Sequence, residues 1–95
     1  MPERDIRKAL KKRVEEYGGE VRAVSWLGRR SAPDVLCLFP NQPGRMAGHV
    51  FAETKAPGGA PTDAQLREHQ RMRSALCTVL VISTIEQLDD WLPPL

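Results

Sequence analysis

No apolar run in the sequence approaches the about 20 residues that a membrane-spanning helix requires, and no signal-peptide h-region opens it. Both absences predict a protein that works in the cytoplasm without membrane contact. Two cysteines cannot build a disulfide scaffold, which agrees with a reducing compartment. His49, His69, Cys37 and Cys77 lack the spacing of a zinc site. No glycine pattern forms a P-loop or a dinucleotide-binding turn, because Gly58-Gly59 is not accompanied by a phosphate-binding lysine. Internal repeats and low-complexity tails are absent. An excess of one charge is missing too: 14 Lys+Arg against 12 Asp+Glu leave +2. That total is a poor argument for a polyanionic partner.

What remains is a chain of 95 residues, 41% hydrophobic and 27% charged. These values fit one soluble domain over residues 1–95. Such a chain buries roughly 60–68% of the surface its unfolded form exposes, enough for one modest core. The small net charge conceals an asymmetry. Residues 1–30 carry nine basic groups against five acids, whereas residues 31–95 carry five against seven. A basic segment is what a polyanion-binding face requires, although a solvated helix face has the same composition.

Hydrophobic periodicity divides the chain into seven elements in the order α-β-β-β-α-β-α. At about 100° per residue, Ile6, Leu10, Val14 and Tyr17 fall within an arc of about 80°, predicting an amphipathic helix over 2–17 that stops at Gly18-Gly19. Residues 21–27 read as a strand with partial alternation. The run Val35–Phe39 is continuously apolar, the pattern of a strand buried on both faces. Turn chemistry at 41–44 precedes a strand over 49–54, and the Ala56–Pro61 connection cannot continue it. Thr62 with Gln65 is a capping-box signature opening a helix to Leu76. A buried strand over 78–82 and a short helix over 85–92 complete the order.

Three polar residues stand where the local pattern would prefer apolar ones. Asp34 opens the Val35–Phe39 strand directly after Pro33, and Glu53 and Lys55 end the 49–54 strand. Residues two apart in a strand point to one face, so Phe51, Glu53 and Lys55 share a side. Two carboxylates on neighbouring strands are the minimum for a divalent cation site, since Mg²⁺ prefers a few carboxylate oxygens and several waters. The lysine would orient an attacking water or offset developing charge. Taken singly, each residue has a plainer role: a strand start after proline, or an exposed ion pair worth under about 1 kcal/mol.

The combination Pro33-Asp34 … Glu53-Thr54-Lys55 resembles the PD-(D/E)XK nuclease signature, and its flanks narrow the resemblance. Gly28-Arg29-Arg30-Ser31-Ala32-Pro33-Asp34 resembles the G-R-R-G-x-P-D of the VRR-NUC (virus-type replication-repair nuclease) family, with Ser31 where that family usually has glycine. Glu53-Thr54-Lys55-Ala56-Pro57-Gly58-Gly59 resembles its E-x-K-A-P-G-G, and Gln65-Leu66-Arg67-Glu68-His69 its Q-x-R-E-H helix. The resemblance covers nearly the whole chain, from Glu3 to about Leu92. The resemblance implies an α/β fold with a restriction-endonuclease-like core, a central mixed sheet flanked by helices.

The family also uses a glutamate from the first helix. With Ile6 at zero, Glu3 falls at about 60°, inside the apolar arc, whereas Glu15 and Glu16 fall at about 180° and −80°. A carboxylate in a core-facing stripe needs a partner or a metal, so Glu3 is the candidate; its alternative is a first-turn acid answering the helix dipole. On the second helix Gln65, Leu66, His69, Met72, Arg73 and Leu76 are expected to share a face. Gln65 is a supporting active-site residue by resemblance and a helix cap by sequence, and His69 is either a satisfied helix histidine or a phosphate or metal-water contact.

The resemblance therefore implies a Mg²⁺- or Mn²⁺-dependent endodeoxyribonuclease hydrolysing phosphodiester bonds. Asp34 and Glu53 would bind metal with the Thr54 backbone carbonyl, Glu3 would complete the acidic cluster directly or through water, and Lys55 would serve the nucleophile. Arg29, Arg30, Lys8, Lys11 and Lys12 would hold the DNA backbone. Single-domain relatives imply a homodimer acting on branched DNA such as Holliday junctions, in a bacterial or phage-infected cytoplasm. The rival reading is a non-catalytic basic nucleic-acid-binding module.

Overall fold

A computed structural model describes residues 1–44 and 47–95. Its elements are α1 (Glu3–Glu16), β1 (Glu20–Ala23), β2 (Val35–Phe39), β3 (Gly48–Thr54), α2 (Asp63–Ser74), β4 (Val79–Ile82) and α3 (Ile85–Trp91). The α/β order is the expected one. The strands form one mixed sheet in the order β1-β2-β3-β4, antiparallel between β1 and β2 and between β2 and β3, parallel between β3 and β4. The parallel pair demands a crossover, which α2 supplies.

The core lies on one face of the sheet. Val35, Cys37 and Phe39 of β2 stand beside Val50 and Ala52 of β3, and all pack with Ile6, Leu10 and Val14 of α1 and with Leu88 of α3. The α1 stripe is completely buried, each such side chain contributing about 1.5–3 kcal/mol of transfer free energy. Phe39 meets Trp91 edge-on at 6.0 Å. Arg13 fastens α3 to α1 through Asp89 at 2.9 Å, and Tyr17 donates its hydroxyl proton to the Pro93 carbonyl at 2.5 Å. No helix among the described residues is long and apolar enough to cross a membrane.

The opposite face is covered less completely, which changes two expectations. The β2 run is apolar throughout, yet only Val35, Cys37 and Phe39 are buried; Leu36 and Leu38 on the other face are half-buried. A continuous run therefore reflects one full layer and one partial layer. β1 also stops at Ala23 rather than 27, because the chain leaves the ladder for a turn at Trp26–Arg29. Gly28 adopts φ +70 there, a conformation open to glycine at no steric cost.

Both long helices end in the same double hydrogen-bond pattern with different residues at its left-handed position. After α1, Gly18 (φ 83) donates to Glu15 and Gly19 to Val14. After α2, Leu76 (φ 70) donates to Arg73 and Cys77 to Met72. These are Schellman-type ends, which favour glycine at that position. Leu76 is 93% exposed, so its side chain gains almost nothing from burial. Left-handed backbone costs a side-chain-bearing residue about 1–2 kcal/mol, against about 0.5–1 kcal/mol for the extra freedom of glycine when unfolded. Leu76→Gly is thus expected to stabilise the protein by about 0.5–1 kcal/mol, measured by denaturant unfolding; a loss of stability would show that Leu76 has a packing role.

Candidate active site

The register of β2 and β3 positions the acids. Val35 faces Ala52 and Leu36 faces Phe51, so one step further along the same ladder Asp34 stands opposite Glu53. On its other side the Asp34 carbonyl accepts the Val24 N–H at 2.9 Å. The loop leading to Asp34 is fixed by Trp26, whose indole N–H donates to the Pro33 carbonyl at 2.5 Å. The same indole packs on Phe51 with ring centres 5.4 Å apart. Pro33 itself is fully buried. The tryptophan therefore ties the aspartate loop to the strand that bears the glutamate.

Glu53 is buried, and its Oε1 lies 3.4 Å from the Nε2 of fully buried His69 on α2. Burial pushes the Glu53 carboxyl above its ordinary range; the His69 contact and the Lys55 charge oppose that rise, and the Asp34 charge adds to it. Two buried polar atoms lack hydrogen-bond partners in this neighbourhood: Asp34 Oδ1 and His69 Nδ1. An unpaired buried acceptor next to a desolvated carboxylate is a costly arrangement unless a cation serves it. Among the described residues no three His, Cys, Asp or Glu side chains gather into a ready metal-holding group. The groups that could hold a cation here are the two carboxylates of Asp34 and Glu53, whose small number suits an ion retaining several waters.

Glu3 is not part of that pair. Its side chain is 47% exposed, because the first turn of α1 projects past the end of the core. It accepts the Thr54 hydroxyl proton at 3.2 Å and sits 3.7 Å from Arg7 one helical turn on. Arg7 in turn donates to the Thr54 hydroxyl at 3.3 Å and reaches Asp34 Oδ2 at 3.4 Å. Glu3 is thereby linked to Asp34 through an arginine. The sequence carried a signal for this in the Glu3–Arg7 spacing of four residues, which places opposite charges on one helix face.

On α2 the buried residues are Glu68, His69 and Met72. The expected face is thus rotated: Leu66 is 48% exposed and Leu76 lies beyond the helix. Gln65 completes the capping box, its Oε1 accepting the Thr62 N–H at 2.9 Å while its own N–H donates to Thr62 Oγ1. Lys8 and Lys11 line a cavity of about 400 Å³ with Arg4 and Arg7, whereas Lys12 is not part of it. Arg29 and Arg30 line a separate cleft against α2. A roomier cavity of about 450 Å³ lies between Gly18-Gly19 and Gly48-His49, at the end of the sheet away from Asp34.

No family model matches the sequence. A protein named "Putative nuclease p44" from Acyrthosiphon pisum secondary endosymbiont phage 1 is 38% identical over 91 residues, covering 96% of this chain and 91% of that protein. A solved structure described as a VRR_NUC domain superposes with a TM-score of 0.80 at 36% identity, covering 93% of this chain and 90% of the other. The chain belongs to the VRR-NUC family. In this VRR-NUC chain the three motif segments meet at one end of the central strands: the 28–34 loop, the end of β3 and the buried face of α2.

Glu53 gives the site a measurable signature. Because burial raises its pKa, the folded state holds the proton more tightly than the unfolded state does. The resulting penalty is absent below the ordinary carboxylate range and grows as pH rises through the folded-state value. Glu53→Gln keeps the shape and removes the charge. Without divalent cations it is expected to melt above the parent at about pH 8, with the gap closing towards about pH 4. Identical melting curves at both pH values would contradict the burial argument.

Proposed function

We propose that this VRR-NUC chain is a metal-dependent endodeoxyribonuclease that hydrolyses phosphodiester bonds in branched DNA, four-way junctions included, and does so as a homodimer. The observation that carries the reading is the carboxylate pair: Asp34 with an unpartnered buried oxygen, opposite a desolvated Glu53, two residues from Lys55. Asp34 and Glu53 would hold Mg²⁺ or Mn²⁺ with the Thr54 carbonyl. When bound, such an ion supplies Lewis acidity towards the phosphate and lowers the pKa of water.

The other residues have separable tasks. Lys55 places a positive charge at the end of β3, where it positions the nucleophile and offsets negative charge on the phosphate oxygens in the transition state. His69 orients Glu53 from behind, leaving the outward oxygen of the carboxylate for the cation. Glu3 and Arg7, joined through the Thr54 hydroxyl, steady the edge of the site; Glu3 would complete the acidic cluster around a bound ion, directly or through water. Gln65 supports α2 through its cap and thereby the placement of His69. Lys8 and Lys11 with Arg4 form a basic strip on α1 that suits a DNA backbone.

The dimer is supported by arithmetic and by surface. One carboxylate pair per chain cuts one strand at a time, so paired incisions need two chains. Leu36, Leu38 and Phe51 leave an apolar sheet face only half covered, and Leu27 is fully exposed in the loop that follows β1. Sedimentation equilibrium is expected to return twice the 10.6 kDa chain mass; a monomer at all accessible concentrations would remove this part of the reading.

The activity is tested by incubating the protein with flap, nicked and four-way-junction DNA in Mg²⁺, Mn²⁺ or EDTA. Cleavage is expected with either metal and not in EDTA, and Lys55→Ala is expected to lose at least about 100-fold in rate while retaining junction binding. DNA binding without cleavage in any metal would favour the non-catalytic module. Undiminished cleavage by Lys55→Ala would remove the lysine from the mechanism.

A further inference from the structure

Beyond the carboxylate pair, a cleft of about 160 Å³ lies between the loop after Gly28 and one face of α2, and it joins Arg29 and Arg30 to helix residues that the sequence did not single out. Its walls carry Arg29, Arg30 and Ser31 from the loop, and Arg67, Glu68 and Arg71 from the helix. Four arginines and one carboxylate thus line a single cleft. Arg67 and Arg71 lie one helical turn apart, so both point the same way by helix geometry.

The single acid pairs with two of the four arginines and leaves the other two without a counter-charge. One oxygen of Glu68, Oε2, accepts from Arg71 Nη2 at 2.6 Å and lies 3.6 Å from Arg29 Nη1. The carboxylate is nearly buried at the bottom, while the two arginines stay more than half exposed. Arg30 and Arg67 have no ion-pair partner among the described residues. Crowding four like charges in one cleft is unfavourable in the free protein, and a bound polyanion relieves it. Planar guanidinium forks match the paired oxygens of a phosphate.

Both walls are tied to the candidate active site. Ser31 precedes Asp34 by three positions, and Glu68 is the chain neighbour of His69, which contacts Glu53. The loop wall is held in place: Arg29 donates its N–H to the Trp26 carbonyl at 3.4 Å, and Trp26 is fixed by Pro33 and Phe51. The cleft and the carboxylate pair are thus built on the same loop and the same turn of α2.

We propose that this cleft is a second phosphate subsite, in which Arg29, Arg30, Arg67 and Arg71 grip a DNA backbone phosphate flanking the one that is cut. The subsite rests on the nuclease reading but acts through binding, so it can be tested without turnover. Fluorescence anisotropy with junction DNA in EDTA, across a salt series, compares the parent with Arg67→Gln and with Arg67→Gln/Arg71→Gln; Arg22→Gln, remote on β1, is the control. Arg67→Gln breaks no ion pair or hydrogen bond among the described residues, so it remains informative even if the double variant fails to fold.

The double variant is expected to lose at least about tenfold in affinity, with the slope of log K against log salt shallower by about one. Arg67→Gln is expected to lose part of that affinity, and Arg22→Gln none. Parent-like affinity and slope in Arg67→Gln and the double variant would overturn the subsite while leaving the nuclease reading intact. A parent protein that neither binds nor cuts DNA would overturn both.

Discussion

The antiparallel ladder between β2 and β3 is the constraint on which the rest of the site depends. Side chains alternate along a strand, so a shift of one residue would carry Glu53 to the α1 face and Ala52 out of the core. The register is pinned because Val35, Cys37 and Phe39 must meet Val50 and Ala52 beneath α1. Asp34 and Glu53 inherit their opposition from that apolar match. The acids contribute nothing favourable to the pairing that brings them together, and burial makes Glu53 a cost to it.

That cost is met by several modest arrangements around the end of the two central strands. His69 approaches Glu53 from α2, and Lys55 offers charge from the strand end. Arg7 links Asp34 with the Thr54 hydroxyl and Glu3. Trp26 stops the loop before Asp34 from relaxing away. One orphaned oxygen on Asp34 and one orphaned nitrogen on His69 remain. A region where local rules are broken in several places at once, within an otherwise consistent fold, is where function is to be sought.

Much of this was legible in the sequence because it depended on local periodicity. The arc of Ile6, Leu10 and Val14 located α1, the apolar run located β2, and Thr62 with Gln65 marked the start of α2. Asp34, Glu53 and Lys55 stood out because polar residues interrupted those patterns. What could not be read depended on contacts distant in sequence. The helical wheel placed Glu3 in the apolar stripe but could not reveal that the stripe outruns the core there, leaving the side chain half exposed. The rotation of α2 was missed because Glu68 is satisfied by Arg29 and Arg71, and a paired buried acid is indistinguishable from a solvated one in a sequence. Likewise nothing local to Arg67 announced that it faces a loop some 37 residues earlier.

The division of the sheet into two unlike faces has an evolutionary consequence. The α1 and α3 side is tightly packed, so a change of even one methylene there disturbs neighbours on three elements. The other side holds the acids, the arginines and a half-covered apolar surface, where exchanges of polar groups leave that packing untouched. Substrate choice can therefore drift while the scaffold stays fixed. Related chains should share the buried residues beneath α1 and, on the other face, keep the motif residues around Asp34 and Glu53 while varying the positions that surround them, even though both faces belong to the same four strands.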